Sequence, residues 1–161
     1  MAYYIKTIGI RRQKNSIFEG RFPRMLLSQM CFKTGKGAPR RLKKGDRLVL
    51  YCVIGGAKEF PKGGFIGTQR VLGKLRKNED LFEKEWRNAV AIQPEIYSFR
   101  DLVTLQKVRG WKAKSRKLDT ALRGNLQAIG GLWEIDRADY RQFLSAFKAH
   151  SQTPHAHYFI I

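Results

Sequence analysis

The chain has 161 residues, room for one domain or one domain with a small appendage. Its 32 Lys and Arg against 13 Asp and Glu give a formal charge of +19, far outside the magnitude of about 2 to 8 usual for a small domain. A content of 43% hydrophobic and 12% aromatic residues excludes disorder, two cysteines (Cys31 and Cys52) exclude a disulfide framework, and no run approaches the ~18 apolar residues of a membrane helix.

Tyr3 to Ile10, β-branched and aromatic, predicts a first strand, and Arg11 to Gly20 a basic loop. Pro23 suits the first turn of a helix, which is expected to run to about Phe32 with Phe22, Leu26, Gln29, Met30 and Lys33 near one face. The segment KTGKGAPRRLKKGDR, Lys33 to Arg47, has glycines and Pro39 that exclude a long helix. Leu48 to Ile54 is almost wholly apolar and predicts a central strand buried on both faces. Phe65 to Leu75 predicts the next strand, with Gly67 and Gly73 marking bends or a bulge. A short helix around Trp86 is expected within Asn78 to Ala91, broken by Pro94, and then a strand within Tyr97 to Val108, clearest from Leu102. Leu118, Leu122, Leu126 and Ile129 form one helical stripe that Gly130-Gly131 stops.

Leu132 to Ile135 predicts a short strand. Asp136 is placed to cap a last helix, with Asp139 in its first turn and Tyr140, Phe143, Leu144 and Phe147 as its buried stripe. Residues 151–161 either fray or add an edge strand through Tyr158 to Ile161. Strands and helices do not alternate regularly, which disfavours a doubly wound sheet. The expected fold class is α+β: a small curved mixed sheet or barrel with flanking helices, over residues 1–150.

No phosphate loop is present, because KTGKGAP neither follows a strand nor opens a helix. His150, His155 and His157 read as a solvated tail, Cys31 and Cys52 as core thiols, and the acids as members of turns and solvated helices. No catalytic residue, metal or cofactor is assigned. An enzyme of nucleic-acid modification or cleavage stays open only through a buried site that holds paired acids, or His155 or His157 with an acid.

Three basic clusters stand out: Arg11, Arg12 and Lys14; Lys33, Lys36, Arg40, Arg41, Lys43 and Lys44; and Lys107, Arg109, Lys112, Lys114, Arg116 and Lys117. Each lies in or beside a predicted loop, where it can grip a phosphate backbone. A basic chain seeks an anionic partner, and nucleic acid, DNA or RNA, is the commonest large one. Aromatic residues could supply stacking. Trp111, set among Arg109, Lys112 and Lys114, either stacks on a base or seals the core; Trp86 and Trp133 read as core anchors. Phe18 and Phe32 flank the predicted first helix as possible cavity walls, and Tyr51 lies in the central strand. MAYYIKTIGI lacks the order of a signal peptide, so a cytoplasmic protein without a membrane partner is expected, nucleoid-associated if it binds DNA.

KKGDRLVLYCV (Lys43 to Val53), then GFIGTQRVLGKL (Gly64 to Leu75), then LRGNLQAIGGLWEIDRADYRQFLSAF (Leu122 to Phe147) resemble in their order the EVE domain of the PUA-like superfamily, a relative of YTH and ASCH domains. The resemblance implies a compact curved or barrel-like sheet with flanking helices. It also implies a modified base, in some members modified cytosine in DNA, held in an aromatic pocket between the first strand, the first helix and the central strand. The candidates for that pocket are Tyr4, Phe18, Phe32, Tyr51 and Trp111. Many EVE domains carry a tryptophan after the first strand; TIGIRRQKNSIFEGRF has only phenylalanines, so either Phe18 substitutes or the pocket differs. One base would leave its stack and enter the pocket, where Ser28 or Gln29 would read its edge. A rival is an RNA-binding accessory protein that reads shape and charge alone. Any cleavage would fall to a separate nuclease or modification enzyme.

Overall fold

The computed structural model describes residues 1–9, 18–19, 22–23, 28–32, 42–53, 63–77, 88–98, 103–124, 126 and 131–150. Its strands are β1 (Tyr3–Ile8), β2 (Phe18–Glu19), β3 (Phe22–Pro23), β4 (Gln29–Phe32), β5 (Arg47–Cys52), β6 (Gly64–Val71), β7 (Arg76–Lys77), β8 (Asn88–Tyr97) and β9 (Leu132–Ile135). Its helices are α1 (Leu105–Arg109), α2 (Arg116–Arg123) and α3 (Arg137–His150). The main sheet runs β4-β8-β6-β5-β1-β9, with β7 also on β8; β2 and β3 pair separately. Only the β1–β5 pair is parallel among these; its neighbours in the sheet pair antiparallel. This is the expected α+β architecture, a curved mixed sheet with flanking helices.

Strand periodicity sorts the core. In β1, Tyr4 and Ile8 enter one cluster and Tyr3 and Ile5 the other; in β5, Leu48 and Leu50 separate from Val49 and Tyr51 in the same way. The first cluster lines the concave side with Met30, Phe32, Ile66, Val71 and Tyr97. The second lies under the helices, where Val108, Leu118, Leu122, Phe143 and Phe147 cover the sheet. Lys6 Nζ stands 4.5 Å from the Phe32 ring centroid, although β1 and β4 have three strands between them. In a flat sheet four strand spacings span about 19 Å, beyond any side chain, so the sheet is rolled and β4 comes back towards β1. The concave side is therefore the interior of a half-barrel.

Two bulges shape the roll. Leu50 faces Gly67 and Tyr51 faces Phe65, leaving Ile66 as the extra residue beside Gly67, as the glycine predicted. On β8, Gln69 faces Pro94 and Thr68 faces Ile96, so Glu95 is extra there.

Several expected elements differ. The helix from Pro23 to Phe32 is absent at its described ends: Phe22 and Pro23 form β3, and Gln29 to Phe32 form β4, paired with Asn88 to Ala91. Met30, Cys31 and Phe32 are all buried, and long-range pairing outweighs the helical spacing of Leu26 and Met30. Residues 88–91 of the predicted Trp86 helix are likewise strand; residues 78–87 lie outside the described residues. Pro94 does not break a helix but sits at the β8 bulge, a strand site that dispenses with an N–H. The strand expected over Tyr97 to Val108 is the end of β8 and then α1; Val103 makes one isolated bridge to Phe65, and Thr104 Oγ1 caps α1 by accepting from Lys107 N at 3.1 Å.

The Leu118–Leu122 stripe is helical, but α2 stops at Gly124, and the buried Leu126 follows in a turn. Ile129, Gly130 and residues 151–161 lie outside the described residues. Asp46 lies in the turn before β5 and Asp139 in the first turn of α3, as expected, and both are buried. Asp46 accepts from Ala2 N at 2.8 Å and Lys43 N at 2.9 Å, fixing the turn that feeds β5. Among the described residues no helix is long and apolar enough to cross a membrane.

Candidate nucleic-acid interface

The roll brings the edge strand β4 over β1, which pairs with β5 and β9 on its two sides, so the two strands meet as a seam across the interior and not edge to edge. Here Lys6 lies wholly buried over Phe32, beside Cys31. Burial pulls the Lys6 ammonium down to about 8, partly opposed by Cys31. Burial also pushes the Cys31 thiol up to about 11, with Lys6 pulling back. Tyr4 packs into the same interior, as does Tyr97, whose hydroxyl accepts from Gln69 Nε2 at 2.6 Å. Burial raises the Tyr97 hydroxyl well above its ordinary value, so it stays a neutral phenol. Gln29 opens β4 half-buried, opposite the exposed Ala91 and on the other face of the strand from Phe32, and its Oε1 is buried with no hydrogen-bond partner among the described residues. Ser28, just before it, is exposed, and its carbonyl accepts from Ile92 N at 2.9 Å.

The predicted pocket residues do not all meet at this seam. Tyr4 and Phe32 face it, but Gln29 is on the opposite face of β4, and Tyr51 lies on the helix-covered face, with its ring 4.9 Å from that of Phe65. Trp111 is on that face too, edge-on to Phe143 at 4.8 Å, where it seals the core beneath α3. The backbone of Phe18 pairs with Pro23, and its side chain lies outside the described residues. Cys31 and Cys52 are buried free thiols, and Trp133 packs at the edge of the outer core, as expected.

The basic clusters separate as well. Lys43 and Lys44 are exposed on the turn at the Tyr3 and Arg47 end of the β1–β5 pair, whereas Ile8, which leads towards Arg11, Arg12 and Lys14, lies at the other end. Those three residues and Lys33, Lys36, Arg40 and Arg41 lie outside the described residues. In the third cluster, Arg109 Nη2 donates to Leu122 O at 3.2 Å, and Lys114 Nζ donates to the carbonyls of Arg109 and Trp111. Lys117 pairs with Glu134 at 2.6 Å and Asp136 at 3.3 Å. These three cations are engaged within their own fold, while Lys112 and Arg116 are exposed.

Sequence reasoning missed Lys6, although its place in the alternation, between Tyr4 and Ile8, assigns it to the interior. A test follows from its titration. Between about pH 8 and its ordinary value of 10.5 the unfolded chain holds a proton at Lys6 that the folded chain lacks, so this residue's contribution to stability rises with pH across that window. Cys31 acts oppositely from its ordinary value of 9.0 to about 11, where the folded chain keeps the thiol proton longer. Lys6→Met removes the first effect and retains the second. Urea unfolding at a series of pH values is expected to show wild type gaining about 3 kcal/mol on the variant from pH 8 to 10.5. A constant difference across that range contradicts the burial of the ammonium.

No protein-family model matches the chain, and no curated protein matches it in sequence. Solved structures match its fold. A hypothetical protein from Leishmania major superposes with a TM-score of 0.59 at 13% identity, over 94% of this chain and 98% of its own. The human THYN1 protein, solved in complex with DNA containing 5-methylcytosine, matches with a TM-score of 0.54 at 13% identity, over 96% and 100% of the two chains. The DUF55 domain of human thymocyte nuclear protein 1 matches with a TM-score of 0.53 at 13% identity, over 94% and 100%. The chain thus has a fold related to that of EVE and DUF55-type domains.

Proposed function

We propose that this is a nucleic-acid-binding domain that reads a modified base, in the first instance a modified cytosine in DNA, by drawing it out of its stack into the seam between β1 and β4. The observation that carries the reading is the aromatic interior between β1 and β4, where Phe32, Tyr4 and Tyr97 lie in one core around the buried Lys6. Phe32 and Tyr4 supply apolar wall against which a flipped base can stack. The charge of +19 supports phosphate binding, which offsets the few kcal/mol of unstacking. The fold shared with THYN1, bound to 5-methylcytosine DNA, supports the choice of base.

The test is a binding panel at fixed salt: oligonucleotides with cytosine, 5-methylcytosine or N6-methyladenine, as DNA and RNA, single and double stranded. A preference of about tenfold or more for the modified cytosine is expected, the scale that one methyl group in an apolar pocket supplies. Tyr4→Ala is expected to lower affinity for the modified site while leaving plain duplex binding unchanged. Equal affinity for all members of the panel overturns base reading and leaves the rival that senses shape and charge alone.

A further inference from the structure

The Tyr3 and Arg47 end of the sheet carries a cleft that none of the predicted site residues lines. Along α3, Arg137, Tyr140, Arg141, Leu144 and Lys148 share one side at helical spacing, facing Tyr3, Arg47, Glu95 and Ile96 across a space of about 360 Å³. Its floor is apolar: the Tyr3 and Tyr140 rings lie 4.9 Å apart, both buried, with Ile96 and Leu144 beside them.

Glu95 is the acid in its lining, and it is already engaged. Its Oε1 meets Arg47 Nε at 3.1 Å and Arg70 Nε at 3.2 Å, and its Oε2 accepts from the Tyr140 hydroxyl at 2.8 Å. The β8 bulge is what makes Glu95 the extra residue here. Arg137, Arg141 and Lys148 are exposed, and among the described residues no carboxylate pairs with them. The cleft therefore joins a base where one carboxylate meets two guanidiniums to a row of cations along its rim that are unpaired among the described residues.

We propose that this cleft is a track for the phosphodiester backbone of one nucleic-acid strand. The inference rests on the nucleic-acid reading above and assigns where the backbone lies. From Arg137 to Lys148 the helix rises about 16 Å, comparable to about five base steps of one strand at ~3.4 Å each. A small phosphorylated molecule calls for cations converging on one point; these are strung in a line on a rigid helix, which suits a polyanion. Lys43 and Lys44 are exposed on the turn at the same end of the sheet. By contrast, Arg109, Lys114 and Lys117 are held by their own fold and contribute less to the track.

The experiment is fluorescence anisotropy of a labelled duplex oligonucleotide across a sodium chloride series. It compares wild type, the triple variant Arg137→Gln/Arg141→Gln/Lys148→Gln, and Lys112→Gln/Arg116→Gln as a charge control. Each phosphate contact contributes roughly 0.9 to the slope of log affinity against log salt, so the triple variant is expected to lose about 3 and the control less than about 1. The single Arg141→Gln, expected to lose about 1, carries the test if the triple variant does not fold. A wild-type slope in the α3 variants, with wild type itself binding, overturns this assignment alone. Wild type failing to bind any oligonucleotide at low salt overturns the nucleic-acid reading and this inference together.

Discussion

Gly67→Ala is expected to lower the melting temperature by about 10 °C or more. Gly67 has φ +154°, and a Cβ there would lie 2.1 Å from Ile96 O and 2.9 Å from Tyr97 Cα. Both atoms are backbone of the neighbouring strand β8, which cannot move aside without opening the β6–β8 ladder beside its bulge. Overpacking of this kind costs about 1 to 3 kcal/mol or more, and an unfavourable φ adds about 1 to 3. In a chain of this size each kcal/mol moves the midpoint by about 2 to 4 °C. Gly73→Ala is the control: its Cβ meets nothing within 4 Å, and the change is expected to be neutral or mildly stabilising. A shift below about 3 °C for Gly67→Ala contradicts the close approach of β6 and β8 on which the rolled sheet depends.

Asp139→Ala is expected to destabilise the chain by about 3 to 4 kcal/mol in urea unfolding. Its carboxylate is 1% exposed and joins two helix starts. One oxygen accepts from Ser115 N at 3.0 Å; the other accepts from the Ser115 hydroxyl and from Asp136 N at 3.0 Å. Ser115 in turn caps α2, its Oγ accepting from Leu118 N at 3.0 Å. Truncation leaves three donors without their acceptor and lets α2 come away from α3. Asp139→Asn is expected to cost nearly as much, because its amide NH2 then faces a donor. A loss under about 1 kcal/mol for both variants contradicts the role of Asp139 as the link between these helices.

Where local pattern and tertiary contact agree, the sequence was legible. β1, β5, β6 and β9 follow from alternation or an unbroken apolar run, and α3 from the spacing of Tyr140, Phe143 and Phe147. β4 was not legible: it is four residues long, and what makes it a strand is its distant partner, Asn88 to Ala91. Pro94 misled for a related reason, since only the register of β6 shows that its place is a bulge. Val103 and Val108 suggest a strand by composition, but Thr104 caps a helix between them.

The candidate site was legible in part. Tyr4 and Phe32 both face the interior between β1 and β4, although Phe32 comes from a strand rather than a helix, whereas Gln29 lies on the opposite face of that strand. Tyr51 was misplaced because a strand buried on both faces gives no sign of which face is concave. Arg137, Arg141 and Lys148 were not singled out in the sequence, where only the buried stripe of the last helix stood out. Their significance depends on Arg47 and Glu95, brought opposite them from two strands far away in sequence.

The claim on which the functional account depends is that a modified base enters the β1–β4 seam. Its most direct measurement is NMR of the Tyr4 ring and the Lys6 ammonium during titration with two short duplexes, identical except that one carries 5-methylcytosine where the other has cytosine. The account predicts that both resonances shift with the methylated duplex and stay in place with its plain twin, while signals from Arg137 and Arg141 respond to either. Movement of the arginine signals with both duplexes, and of Tyr4 and Lys6 with neither, contradicts it.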